Sequence, residues 1–149
     1  MAAMISPSSA LATLLLLFGA CNGAAPPTAP DAVPVDAGPA PMGMSVSGRF
    51  VGVGHHGSGS VKFTVQDGVG SLEFSNDFAV SGVPGPFVYV NTTNNANTGR
   101  PLRVAALKST RGAQTYSFQL PSGVRYQWVL VWCDPFNVPV AEAEIPPTP

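Results

Sequence analysis

Turn signals divide the stretch from about residue 46 to 145 into short runs, and this limits what it can build. They fall at Gly57-Ser58-Gly59, Asp67-Gly68, Pro84-Gly85-Pro86, Asn94-Asn95-Ala96-Asn97, Pro121-Ser122-Gly123 and Asp134-Pro135. Gly admits positive φ, Pro presets φ, and Asn or Asp side chains bond their own backbone, so each cluster favours a reversal for its own reason. The runs between them carry strand patterns. Val61, Phe63 and Val65 alternate with Lys62, Thr64 and Gln66, and Ser71 to Ser75 alternates in the same way, as a strand with one wet face does. Phe87 to Val90 and Tyr126 to Cys133 are continuously apolar, the pattern of strands buried on both faces. No amphipathic helix stands out. The expectation is an all-β domain, a single small antiparallel β-sandwich or barrel of about eight strands.

The N-terminal third reads differently. Leu11 to Ala20 is apolar and ends in small residues before Cys21. A run of about ten apolar residues is too short to span a bilayer but suits the core of a signal peptide. Phe18-Gly19-Ala20-Cys21 is similar to a bacterial lipoprotein cleavage site, at which the cysteine is acylated and becomes the new N-terminus. It departs in having Phe three residues before the cysteine and no Lys or Arg in Met1 to Ala10. The alternative is an ordinary cleaved signal. Acylation of Cys21 would anchor the chain in a bacterial cell envelope, at the outer membrane or periplasmic face, since two or three acyl chains hold far more firmly than one. Residues 22–47 are rich in Pro, Ala and Gly with only Asp31 and Asp36 charged, the composition of a disordered, semi-extended linker. The expected organisation is a signal at 1–20, lipidated Cys21 and linker at 21–47, a β domain at 48–145 and a disordered tail at 146–149.

Charge excludes more than it names. Seven basic against eight acidic residues give a net charge of −1, with no basic stripe, which argues against nucleic acid or anionic lipid as ligand. The eight carboxylates are scattered, and no Ser-His-Asp set or pair of acids stands at suggestive spacing, so hydrolytic chemistry and a stand-alone enzyme find no support. Asn91-Thr92-Thr93 has the form of a glycan acceptor, but in a bacterial lipoprotein it is simply a turn.

Cys133 is the residue with chemical potential. With Cys21 used for lipid, it is a lone thiol in an oxidising compartment, where exported proteins usually pair or avoid thiols. Strand alternation puts Val129, Val131 and Cys133 on one face and Trp128, Leu130 and Trp132 on the other. Asp134-Pro135 ends the run, so Cys133 is expected at a rim that a substrate or cofactor could reach. No Lys or Arg lies close in sequence to favour a thiolate, and Asp134 has the wrong sign; His55 or Arg125 could approach only through the fold. As metal ligands, Cys133 with His55 or His56 are too few for a closed zinc site but enough for axial haem or copper ligation. His55-His56 in a Gly-rich loop equally suits a solvated turn, and a free cysteine equally suits an inert core position.

An ordered set of segments carries a family resemblance. Gly48-Arg49-Phe50, His55-His56-Gly57-Ser58-Gly59, Leu72 to Phe78, Gly85-Pro86-Phe87-Val88-Tyr89-Val90, Leu107-Lys108 with Gly112, Gln114-Thr115-Tyr116 to Leu120-Pro121, and Val131-Trp132-Cys133 with Phe136 follow one another in the chain. Together they resemble the DM-thirteen domain, a module found beside DOMON domains in exported and cell-surface proteins. The resemblance implies a small β-rich domain with a role in electron transfer. It implies that Cys133 acts as a redox thiol or cofactor ligand, with non-covalent haem as the candidate cofactor and His55, from the His-x-x-Ser-Gly element, as its partner ligand. Here Gly85-Pro86 runs straight into Phe87, without the acidic residue usual in the family. The reading is a membrane-tethered envelope redox module acting with a partner protein. The competing reading is a non-catalytic binding or structural domain, for protein or carbohydrate, with an inert cysteine.

Overall fold

A computed structural model describes residues 43–148. The expected signal segment, Cys21 and most of the expected linker lie outside the described residues. The strands are β1 Met44–Gly52, β2 Gly57–Ser58, β3 Ser60–Gln66, β4 Val69–Phe74, β5 Ala79–Val80, β6 Pro86–Asn91, β7 Leu102–Ala106, β8 Gln114–Gln119, β9 Trp128–Cys133 and β10 Val138–Glu144. The helical element among the described residues is a single 3-10 turn at Asp134–Phe136. The all-β expectation holds, and the alternating and continuous runs became β3, β4, β6 and β9.

Eight strands form one antiparallel sheet in the order β7-β6-β9-β10-β1-β3-β4-β8. Its terminal strands β7 and β8 approach each other without pairing, so the sheet is a nearly closed barrel. β2 and β5 form a separate two-stranded patch. Closing the sheet turns one side chain in two toward a common interior, filled by Phe50, Phe63, Phe74, Phe78, Tyr116 and the valines of β6 and β9. Phe50, Phe74 and Phe78 meet with centroids 4.7 to 5.1 Å apart in edge and tilted geometries, which aromatic quadrupoles favour over face-to-face stacking.

Strand direction sorts the molecule into two ends. β9 and β1 both pair antiparallel with β10, so they run the same way. The ends of β1 and β9, at Gly52 and Cys133, therefore share one end with the starts of β3, β6 and β8. Met44, Asn91, Leu102 and Trp128 lie at the opposite end.

Strand pairing and burial extend beyond residues 48–145 at both ends. β1 begins at Met44, four residues before the expected start of the domain at 48, because Met44 to Ser47 pair with Lys62 to Val65 of β3. Of the segment 146–149, expected as a disordered tail, residues 146–148 are described, and Thr148 is buried. The Thr148 amide donates to the Tyr126 carbonyl at 3.0 Å, and its Oγ1 accepts from the Tyr126 amide at 2.8 Å. The two bonds satisfy both polar backbone groups of a buried residue that enters β9 without a strand partner of its own.

Candidate functional site

Cys133 is the last residue of β9, as its spacing predicts, and faces the core with Val129 and Val131. Leu130 and Trp132 lie on the outer face and are also buried, so β9 is apolar on both sides for a structural reason. The thiol, expected at an accessible rim, is only 1% exposed. Its cover comes from far away in sequence. Residues 81–85, between β5 and β6, cross the end of the barrel, and the Cys133 thiol donates to the Pro84 carbonyl oxygen at 3.1 Å. Cys133 also stands in register with Pro86 on one side and Val138 on the other.

Asp134 follows the alternation and points outward. Its Oδ2 accepts from Arg103 Nε at 2.8 Å and lies 2.7 Å from Arg103 Nη2, while its Oδ1 accepts from the Tyr89 hydroxyl at 2.8 Å. Its negative charge, expected to oppose a thiolate next door, is thus neutralised on the other face of the sheet. The Arg103 guanidinium also lies 3.3 Å from the centroid of the Phe87 ring, a cation–π contact that covers the outer apolar layer. Burial, reinforced by the bond to Asp134, pushes the Tyr89 phenol above its ordinary range. Trp132 donates its indole N–H to Asn137 Oδ1 at 3.1 Å. These contacts fix the strand end that carries the cysteine. The two bonds to Asp134 join residues 31 and 45 positions apart, so nothing local in the sequence marks them.

His55 and His56 lie in the loop between β1 and β2, at the same end as Cys133, and both are exposed. His56 engages through its backbone: its amide donates to Ser81 Oγ, and its carbonyl accepts from the Ser81 amide, both at 3.0 Å. No hydrogen bond joins either imidazole to Cys133 among the described residues. Arg125, the other cation considered, precedes β9 at the far end. The His-x-x-Ser-Gly element instead pairs β2 with β5, as Gly57 with Val80 and Ser58 with Ala79. Gly59 has φ of 94°, and a Cβ there would stand 2.5 Å from the Phe78 Cα, so no larger residue fits.

Cys133 and His55 do not fit a haem. Axial ligation needs a flat apolar slot beside the sulfur, whereas the barrel interior is packed with aromatic and valine side chains. The surface grooves are lined elsewhere, for example by Gln127, Glu144 and Pro147, or by Asp77, Phe78 and Arg111. No cluster of three or more His, Cys, Asp or Glu suited to a metal occurs among the described residues.

Asn91, read from sequence as part of a turn, is completely buried at the end of β6 and organises the loop to Arg100. Its Nδ2 donates to Thr93 Oγ1, the Asn95 carbonyl and the Thr98 carbonyl, and its Oδ1 accepts from the Thr92 and Arg100 amides. The run Asn91-Thr92-Thr93-Asn94-Asn95 was the signal for such a loop, since these side chains bond the backbone readily.

The family model for Electron transfer DM13 matches residues 49–145, from β1 through the end of β10. The chain belongs to that family. No curated protein and no solved structure matches it. The match takes in the barrel from Arg49 onward, including Cys133 and residues 81–85, and membership points to an electron-transfer module.

Proposed function

We propose that this chain is an envelope electron-transfer module, tethered by lipid on Cys21 and carrying Cys133 as its redox-active thiol. The observation that carries the reading is the seat of Cys133. It stands at a strand terminus at one end of an Electron transfer DM13 barrel, with its thiol on the Pro84 carbonyl of the segment between β5 and β6. The oxidising partner is a protein or small-molecule disulfide. Cys133 gives its proton to solvent, and its sulfur attacks one sulfur of that disulfide. The new S–S bond forms as the old one breaks, and the leaving thiolate takes up a proton. Cys133 is oxidised and the partner's disulfide reduced, with Cys133 recovered by a second thiol attacking the mixed disulfide. Such exchange requires a thiolate, so the reaction waits on exposure of the sulfur to water.

A structural or binding domain with an inert thiol is the competing reading. Its support is the 1% exposure of Cys133 and, among the described residues, the absence of an ion pair beside its sulfur.

The test is made in cells. Chain recovered from envelope membranes after acid trapping is expected to carry a mixed disulfide at Cys133, absent in Cys133→Ser. Cys21→Ser is expected to move the chain from the membrane to the soluble fraction. Cys133 recovered wholly as free thiol, under oxidising and reducing growth alike, would count against the redox reading.

A further inference from the structure

Between β5 and β6, residues Ser81 to Gly85 form a bridge whose backbone-to-backbone hydrogen bonds lie at its ends. At one end, Ser81 exchanges two hydrogen bonds with His56 across the loop, both at 3.0 Å. At the other, the Gly85 carbonyl accepts from the Asp134 amide at a long 3.3 Å, and the Pro86 carbonyl accepts from the Leu107 amide at 2.9 Å. Between the anchors, Gly82, Val83 and Pro84 make no backbone hydrogen bond among the described residues. Their attachments are the Val83 side chain, half-buried against the core, and the Pro84 carbonyl over the Cys133 sulfur. Gly82, Pro84 and Gly85 are exposed. Gly85 has φ of 55°, a conformation that eases a change of direction at the strand junction.

We infer that Ser81–Gly85 is a hinged strap that swings away to expose Cys133 while the barrel stays folded. Opening breaks one weak S–H···O bond, one long amide bond and the packing of one valine. Every strand pairing of the eight-stranded sheet survives it. Segments with few buried contacts and few backbone hydrogen bonds open far more readily than the whole domain. Cys133 is therefore stored shielded and presented on opening, at the end of the barrel opposite the start of β1 at Met44. The inference rests on the redox reading for its purpose, but not for its mechanics.

Alkylation by N-ethylmaleimide tests the mechanics, since it needs an exposed sulfur and no redox partner. It is followed by mass spectrometry on the full chain carrying Cys21→Ser, which leaves Cys133 as the one thiol. Labelling is expected at a rate nearly independent of urea below the unfolding transition and far above that allowed by global unfolding. Val83→Gly, which removes the strap's apolar anchor, should speed labelling about tenfold. Gly82→Ala, whose added methyl meets nothing within 4 Å, should slow it about threefold by stiffening the open form. The strap is overturned if labelling rises with urea as steeply as global unfolding, or if neither variant changes the urea-independent labelling rate. Fast alkylation with no disulfide at Cys133 in cells would leave the strap standing and remove the redox reading. A disulfide in cells with alkylation limited by global unfolding would do the reverse.

Discussion

Replacing Asn91 tests whether one buried amide holds the far end of the barrel together. Asn91→Ala removes two bonds accepted by Oδ1 and three contacts that share the two Nδ2 hydrogens. At a net value of about 1 kcal/mol for each of four full bonds, the ceiling is ~4 kcal/mol. Several of the stranded partners keep a second bond. The Arg100 amide also reaches Thr92 Oγ1, the Asn95 carbonyl also accepts from the Thr98 amide, and the Thr98 carbonyl also accepts from Thr93 Oγ1. The Thr92 amide has no such alternative. The expected loss is therefore about 2–3 kcal/mol, or roughly 10–20 °C in Tm for a domain of this size. Asn91→Asp keeps the acceptor but sets a carboxylate oxygen against two carbonyls that Nδ2 held at 2.7 and 2.9 Å. It should cost at least as much as Ala at pH 7. A carboxyl facing acceptors is favoured protonated in the fold, so the Asp variant should recover part of its loss as pH falls toward 4. Urea unfolding followed by tryptophan fluorescence at both pH values is the assay. A loss below about 0.5 kcal/mol for Ala, or an Asp variant as stable as the parent at pH 7, would refute the reasoning. Since β6 runs from the Cys133 end to the Asn91 end, Asn91→Ala should leave urea-independent labelling of Cys133 unchanged.

Further outcomes follow from the same contacts. Burial holds the Tyr89, Tyr116 and Tyr126 phenols above 10, so the folded state keeps them neutral while the unfolded chain ionises. That contribution is intact below pH 10 and is lost as pH rises through the folded values, so urea midpoints should fall as pH rises above 10; flat midpoints there would contradict it. Truncation after Ile145 removes both bonds between Thr148 and Tyr126 and should cost about 1–3 kcal/mol by urea unfolding, whereas a disordered tail would cost nothing. Arg103→Ala uncovers the Phe87 ring and unpairs Asp134. Because the pair is half-exposed, the expected cost is about 1–2 kcal/mol, of which salt should screen only the ion-pair part.

The barrel's strands were legible because each burial pattern reflects a local cause. The alternation of Val61, Phe63 and Val65 comes from one wet face, and the unbroken run through Cys133 comes from a second apolar layer made by Leu130 and Trp132 under Arg103. Even the face assignment of Cys133 follows from alternation alone. Its cover does not, because Pro84 reaches it across 49 residues and nothing in Pro84-Gly85-Pro86 beyond a turn marks that contact. Asp134 was legible as a charge beside the thiol, but its neutralisation required β7 to bring Arg103 alongside. Thr148 lies among prolines whose composition reads as disorder, yet two bonds to Tyr126 suffice to hold it.

Equilibrating the folded Cys21→Ser chain in glutathione buffers of graded redox ratio tests the central claim most directly, with adducts at Cys133 counted by mass. A redox thiol behind a strap predicts one glutathione adduct, formed and reversed along the same curve from either direction, with native fluorescence throughout. A sulfur that stays unmodified at every ratio until urea unfolds the barrel would contradict the account.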